Sequence, residues 1–267
     1  MTPASIILDL LRTYRHRGTA VKEIMAAGAM FDFSENAMRV NLSRLVGQGL
    51  VENFERGYYR ISDHADPVNE FVEAWRAGED RVGPWDGASW LVVHSSHEEA
   101  PKRGWALDAN GFRQIAEGLW ARPDNLSLTH AALDMRLRQL GVDARSVLLT
   151  NAQIDKRCQD AWLIQFDLDR LVTTYSESEK ALRQSAARLT KLPRRDALKE
   201  SFHLGGEAVH ILAKDPLLPS EVIDTTQRKQ LWETMLAYDR LGRNIWTTRL
   251  SSPERIPTPQ LIISNTR

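Results

Sequence analysis

The chain of 267 residues holds a single cysteine, Cys158. No disulfide can form within it, and a lone thiol suits a reducing compartment, so a cytoplasmic protein is expected. Long apolar runs are missing too. No stretch approaches the roughly 20 residues that a membrane-spanning helix needs. The opening MTPASIILDLLRTYRHRG places Asp9 inside its short apolar stretch and lacks a basic start, which speaks against a secretion signal. There is no excess of charge: 35 Lys and Arg stand against 35 Asp and Glu. Whole-protein charge therefore lends nothing to nucleic-acid binding, and any such claim must rest on a local arrangement. Internal repeats, low-complexity segments, nucleophile elbows, phosphate-binding glycine loops and zincin motifs are all missing. No enzyme activity and no cofactor are expected. What is present is 42% hydrophobic residues, enough to build two or three compact units and to exclude wholesale disorder.

The first 65 residues carry the sharpest pattern. Ile6, Ile7, Leu10, Leu11 and Tyr14 have helical spacing, and Gly18 breaks it. A second helix is expected from about Thr19, with Val21, Ile24 and Met25 inward. SENAMRVNLSRL, from Ser34 to Leu45, predicts a third: Ser34 can cap it and Glu35 suits its first turn. Met38, Leu42, Leu45 and Val46 form its buried stripe, and Gly47 and Gly49 end it. LVENFERGYYRIS then reads as a hairpin turning at Arg56-Gly57. Three short helices and a two-stranded ribbon make the winged form of the helix-turn-helix. On the outward side of the third helix lie Asn36, Val40 and Ser43, flanked by Arg39 and Arg44, with no acid beyond Glu35. A short amide, a hydroxyl and two guanidiniums suit base edges and phosphates in a major groove. They equally suit a solvated helix face; the ribbon that follows favours DNA.

Asp66-Pro67 starts a connecting helix that GPW at 83–85 ends. The next seventy residues alternate strands and helices. Strands are expected at Trp90–Val93, in GLWARP and in SVLLT. Helices are expected near 98–110 and over 128–141, the latter with Leu128, Ala131, Ala132, Met135 and Leu140 to one side. Such alternation fits a split βαβ unit of ferredoxin type. The last third is helical, with DPLLPSEV as a rigid turn and Leu231, Met235, Tyr238 and Leu241 on one face of the final helix. The tail from 253 to 267 is proline-punctuated and expected to be extended.

ENAMRVNLSRLVGQGLVE, YYRIS, WDGASWLVV, GLWARP and DPLLPSEV, in that order, resemble the PaaX-like family, repressors of the phenylacetic-acid degradation operon. The resemblance runs from the first helix to the last. It implies an α+β chain: a winged helix-turn-helix over 1–65, a connecting helix over 66–85, a Cas2-like ferredoxin fold over 86–175, a helical C-terminal domain over 176–252 and the tail. It also implies a homodimeric transcriptional repressor of aromatic catabolism. Its partners would be a double-stranded DNA operator and an acyl- or aryl-CoA effector such as phenylacetyl-CoA, with no membrane. One departure stands out. The first strand of the middle unit commonly runs into an acidic residue in this family and in Cas2-type nucleases, whereas His94 stands there here. A metal nuclease needs converging carboxylates, which disfavours that alternative. A regulator answering to a different acid or CoA ester, and an architectural DNA-binding protein without effector, are further alternatives.

The DNA-binding set is therefore Asn36, Arg39, Val40 and Ser43 toward bases, with Arg44, Arg56 and Tyr58 toward phosphate or the minor groove. From Lys180 to Lys199 the chain is one-signed apart from Asp196 and could hold CoA phosphates; Arg183, Arg188, Arg194 and Arg195 are the effector candidates. A solvated face is the plainer reading. His203, Glu207 and His210 share a helical face and are candidate metal ligands, with a polar face against another domain as the better account. His94, His97, Glu98 and Glu99 offer donors in what reads as a polar loop. Trp85, Trp90, Trp105, Trp120 and Trp162 read mainly as core.

Overall fold

The structure, a computed structural model, describes residues 2–13, 18–63, 66–95 and 100–247. It mixes helices with two antiparallel sheets. Tyr14, His97, Glu98, Glu99 and the tail from 253 lie outside the described residues.

The first region runs α1 (Pro3–Thr13), β1 (Thr19–Ala20), α2 (Val21–Met30), α3 (Glu35–Gly47), β2 (Val51–Glu55) and β3 (Tyr58–Ile61). Ile6, Ile7 and Leu11 of α1 meet Ile24, Met38, Leu42 and Leu45 of α2 and α3, and Val51 and Ile61 of the hairpin close the core. Where a helix start is expected, Thr19 and Ala20 instead pair with Tyr59 and Tyr58, giving a sheet of order β1-β3-β2. Two residues are too few to show a strand's alternation. Gly28 lets α2 press onto α3: a β-carbon there would collide with the Met38 side chain. Val46 is 37% exposed rather than inward, because the buried stripe ends at Leu45.

The second region begins with α4 (Asp66–Glu73) and a 3-10 helix over Ala74–Arg81. Then come β4 (Trp90–His94), α5 (Ala100–Ala109), β5 (Arg113–Ala116), β6 (Leu119–Pro123), α6 (His130–Gln139) and β7 (Val147–Ala152). The sheet has order β5-β6-β4-β7 with every neighbouring pair antiparallel. β4 and β5 therefore run parallel on either side of β6, the plan of a split β-α-β. Leu91 and Val93 point to the face covered by Leu107, Phe112, Leu133 and Leu137. Trp90, Val92 and Ala121 point to the other, against Trp162, Leu218 and Ile223. The stripe expected on α6 is corrected. Leu140 is buried and Leu128 packs against the same core as expected, but Ala131, Ala132 and Met135 are exposed and Leu133 and Leu137 are buried in their place. Leu133, Leu137 and Leu140 have i, i+4, i+7 spacing, and the first two stand two positions out of phase with Ala131 and Met135. β5 was not expected, since four residues beginning Arg-Gln give no apolar signal; its pairing with β6 makes it a strand.

The third region is α7 (Lys156–Leu163), α8 (Leu168–Leu189), α9 (Arg194–Ala213) and α10 (Thr226–Thr247). Tyr175, Leu182, Leu189, Ala208, Leu212, Leu231, Met235 and Tyr238 form its core, with Trp75 of the 3-10 helix. α8 runs unbroken through 175/176, where a boundary is expected. Leu171 and Val172 pack toward the sheet, while Leu182 packs into the helical bundle. α9 is likewise continuous through Gly205-Gly206, because Gly205 lies against Met235 and Tyr238. No helix among the described residues is long and apolar enough to cross a membrane.

A buried polar junction joins the second and third regions at DPLLP, residues 215–219. Asp215 is 4% exposed and accepts from the backbone N–H of Leu217, whose φ of +53 turns the chain sharply. Asn125 donates to the Leu217 carbonyl at 2.8 Å and accepts from Arg122 at 2.7 Å. Burial pushes the Arg122 guanidinium down to about 9, so it is still charged at neutral pH. Arg228, 4% exposed, donates to both oxygens of Glu79 at 2.8 and 3.0 Å and to the Leu218 carbonyl at 3.0 Å. Arg81 reaches the Leu212 carbonyl at 3.1 Å. Burial, and next the charge of Asp215, raise the Tyr175 hydroxyl's pKa.

Candidate nucleic-acid interface

α3 owes its position to two things. Its start is capped by Ser34, whose hydroxyl accepts from the Ala37 N–H at 3.2 Å. Its rotation is fixed by Met38, Leu42 and Leu45, all buried. Fixing that side inward leaves Asn36, Arg39, Val40, Ser43 and Arg44 exposed together on the other. Val40 is 58% exposed, an apolar side chain standing free among polar ones. Arg39 donates through Nε and Nη2 to Glu35 Oε1 at 2.8 and 2.6 Å. Both partners are more than half exposed, so this pair is worth only about 0.3–0.5 kcal/mol and yields readily to a competing acceptor.

The hairpin stands beside this face. Gly57, at φ +80, makes the turn, and its carbonyl accepts from the Val21 N–H at 2.8 Å, which ties the hairpin to the start of α2. Arg56 and Tyr58 lie exposed at the tip. Phe54 meets Tyr58 edge-on at 6.4 Å, and the Arg60 guanidinium covers the Phe54 ring at 5.2 Å. Between helix and hairpin runs a groove of about 210 Å³. Arg39, Leu42, Ser43 and Val46 line one wall, Asn53 and Tyr59 the other, and Val21 lies between. Asn53 and Tyr59 were not singled out from the sequence. The available signal was strand alternation, which puts Asn53 and its partner Tyr59 on the same side of the hairpin as buried Val51 and Ile61 once the register is known.

The effector candidates do not gather in one place. Arg183 pairs with Glu179 along α8, and Arg188 pairs with Glu200 of α9 at 2.9 Å. Arg194 and Arg195 sit at the start of α9 against the end of α2. Arg195 donates to the Met30 carbonyl at 3.1 Å, and both Arg195 and Lys199 pair with Asp32. The metal candidates lie on an exposed face of α9, not against another region. His203 and Glu207 are 3.6 Å apart, and burial, then Lys214, lowers the pKa of His210. Among the described residues no three His, Cys, Asp or Glu side chains gather as a metal would need. His94 is exposed at the end of β4. Trp85, Trp90, Trp162 and Phe166 pack edge to face in sequence at 5.5, 5.2 and 4.8 Å. Trp120 joins the other core, and Trp105, 36% exposed, meets Phe71.

The sequence model of the family described as PaaX-like protein matches the capped helix, the helices before it and the hairpin after it. Residues 2–65 match the PaaX-like protein family. The match stops just past the hairpin, so the sheet and the helical bundle lie beyond it. No curated protein matches the chain. Among solved structures, the uncharacterized protein Rv0674 from Mycobacterium tuberculosis is 22% identical. It superposes with a TM-score of 0.55, covering 92% of this chain and 99% of that one. The likeness extends the shared fold across the sheet and the bundle.

Proposed function

We propose that the chain is a transcriptional repressor whose first region is a winged helix-turn-helix, its second a Cas2-like ferredoxin fold and its third a helical domain. The observation that carries this reading is the exposed side of α3. Five side chains suited to bases and phosphates stand clear of the protein beside a hairpin, inside the segment that matches the PaaX-like family. α3 would enter the major groove with Asn36 and Arg39 on base edges and Val40 and Ser43 beside them. Val40 offers an apolar contact of the kind a thymine methyl accepts. Arg44, and Arg56 and Tyr58 at the wing, would touch phosphate or the minor groove. Arg39 would exchange Glu35 for a base edge.

One such helix reads few base pairs. A homodimer related by a two-fold axis would read two half-sites about 34 Å or a multiple apart, hence a palindromic operator. Release would follow binding of an aryl-CoA thioester such as phenylacetyl-CoA, which must prefer the dimer unable to bind DNA. The test is to sequence genomic fragments retained by the purified full-length protein, with and without phenylacetyl-CoA. A palindromic motif lost on adding the thioester is the expected result. Retention of no promoter fragment at low salt sinks the reading.

A further inference from the structure

The first and third regions meet at a crevice whose arginines belong to the basic run of the sequence, while its other wall does not. Ala29 and Met30, ending α2, face Arg194, Arg195 and Leu198, starting α9, around a space of about 390 Å³. That lies at the small end of ligand sites, roughly 300–1,000 Å³, and suits a compact molecule. The lining is apolar except for the arginines. Arg194 Nε is buried without a hydrogen-bond partner. Arg195 and Lys199 are both held by one carboxylate, Asp32, so three cations face a single anion. Of the neighbouring acids on α9, Asp196 is exposed and Glu200 is engaged by Arg188 and the Ser185 hydroxyl. Asp32 itself lies in the turn between α2 and α3, at φ +65, a conformation that Asp tolerates better than most residues. Beside it Phe31 packs on Phe202 of α9 at 5.1 Å.

We infer that this crevice binds a small organic anion, a carboxylate on a compact apolar body. Its charge engages Arg195 and Lys199 in place of Asp32, and its body lies against Met30 and Leu198. Occupancy frees the turn that precedes α3 from α9. This last consequence rests on the repressor reading; the binding site does not.

Calorimetric titration of the full-length protein with benzoate, benzamide and inorganic phosphate tests it. Benzoate is expected to bind at least tenfold more tightly than the uncharged amide or the ion without an apolar body. Asp32→Asn removes the competing charge and should raise benzoate affinity several-fold. Arg195→Met should lower it at least tenfold; Lys199→Met serves if thermal melts show the first variant misfolded. Benzoate binding that is absent from wild type and Asp32→Asn, or unchanged in both folded cation variants, overturns the site. Operator retention is read separately. A protein–DNA complex that survives saturating benzoate overturns the coupling. Benzoate binding with no promoter fragment retained supports the site while sinking the repressor.

Discussion

Two sets of arginines divide the molecule. Arg81, Arg122 and Arg228 lie in the junction between sheet and bundle, donating to carbonyls and to Glu79 and Asn125. Arg39, Arg44 and Arg56 stand exposed on α3 and the hairpin, with Glu35 the partner of the first. The residue type is the same and the physics is opposite. A buried guanidinium has lost its water, so every N–H must find an acceptor, and its removal strands those acceptors. An exposed one keeps its water and can exchange it for a phosphate or a base edge. Charge in a sequence cannot separate the two sets; burial and partners do.

The two sets differ most at Arg228. Arg228→Ala leaves Glu79 and the Leu218 carbonyl without their donor and removes a cation 3.9 Å from the fully buried Asp215 carboxylate. The expected cost is about 3–5 kcal/mol, as for one partner of a buried ion pair. Urea denaturation followed by circular dichroism would measure it. A loss below about 1 kcal/mol would show that the junction is wetter or looser than its hydrogen bonds imply.

Arg39→Ala should behave in the reverse way. Stability should change by less than about 0.5 kcal/mol, because only an exposed ion pair is lost. Operator affinity should fall by about 1–3 kcal/mol, roughly fivefold to 150-fold, if the side chain makes a bidentate guanine contact. Gel-shift titration at fixed salt reads the second number and denaturation the first. Equal operator affinity would remove Arg39 from the readout set.

Ser34→Ala tests what holds the exposed set in place. Losing the cap hydroxyl leaves the Ala37 N–H without its acceptor at the start of α3, at a cost of about 1 kcal/mol. The side chains that would face DNA are untouched. A denaturation midpoint that falls while operator affinity at 15 °C holds would place Ser34 with the scaffold.

The sequence shows the exposed set far better than the buried one, and the reason is range. Helix α3 is written in local terms: a cap at Ser34, a stripe at Met38, Leu42 and Leu45, and the outward residues by subtraction. The junction is written across the chain, with Arg122 to Asn125 and then to Leu217, and Glu79 to Arg228, so no window of sequence contains it. DPLLP stood out as a rigid turn, yet nothing local says that Asp215 is buried. The same limit hid β5, which is a strand only because β6 pairs with it. It also hid the Asp32 clamp, whose two cations come from more than 160 residues away. On α6 the period was right and the phase wrong, because Ala131 and Met135 compete with Leu133 and Leu137 until packing decides. The basic run from Lys180 to Lys199 looked like one patch, and pairing with Glu179, Glu200 and Asp32 splits it into three local arrangements.

His210 lies between the two sets and gives the smallest effect. It sits near the end of α9 on an exposed face, yet burial, aided by the charge of Lys214, holds its imidazole below the usual 6.5. The folded chain therefore binds this proton less readily than the unfolded chain. Above pH 7.5 neither state carries it and the group contributes nothing to the pH dependence. As pH falls through about 6.5 the unfolded chain protonates first, and stability drops until the folded pKa is passed. The difference in urea midpoint between pH 7.5 and pH 5.5 should thus be slightly larger in wild type than in His210→Gln. Because the ring is mostly solvated, the gap should be far smaller than the loss at Arg228. A gap of the opposite sign would mean that His210 gains a carboxylate partner in the folded chain. That would move it from the solvated set to the paired one.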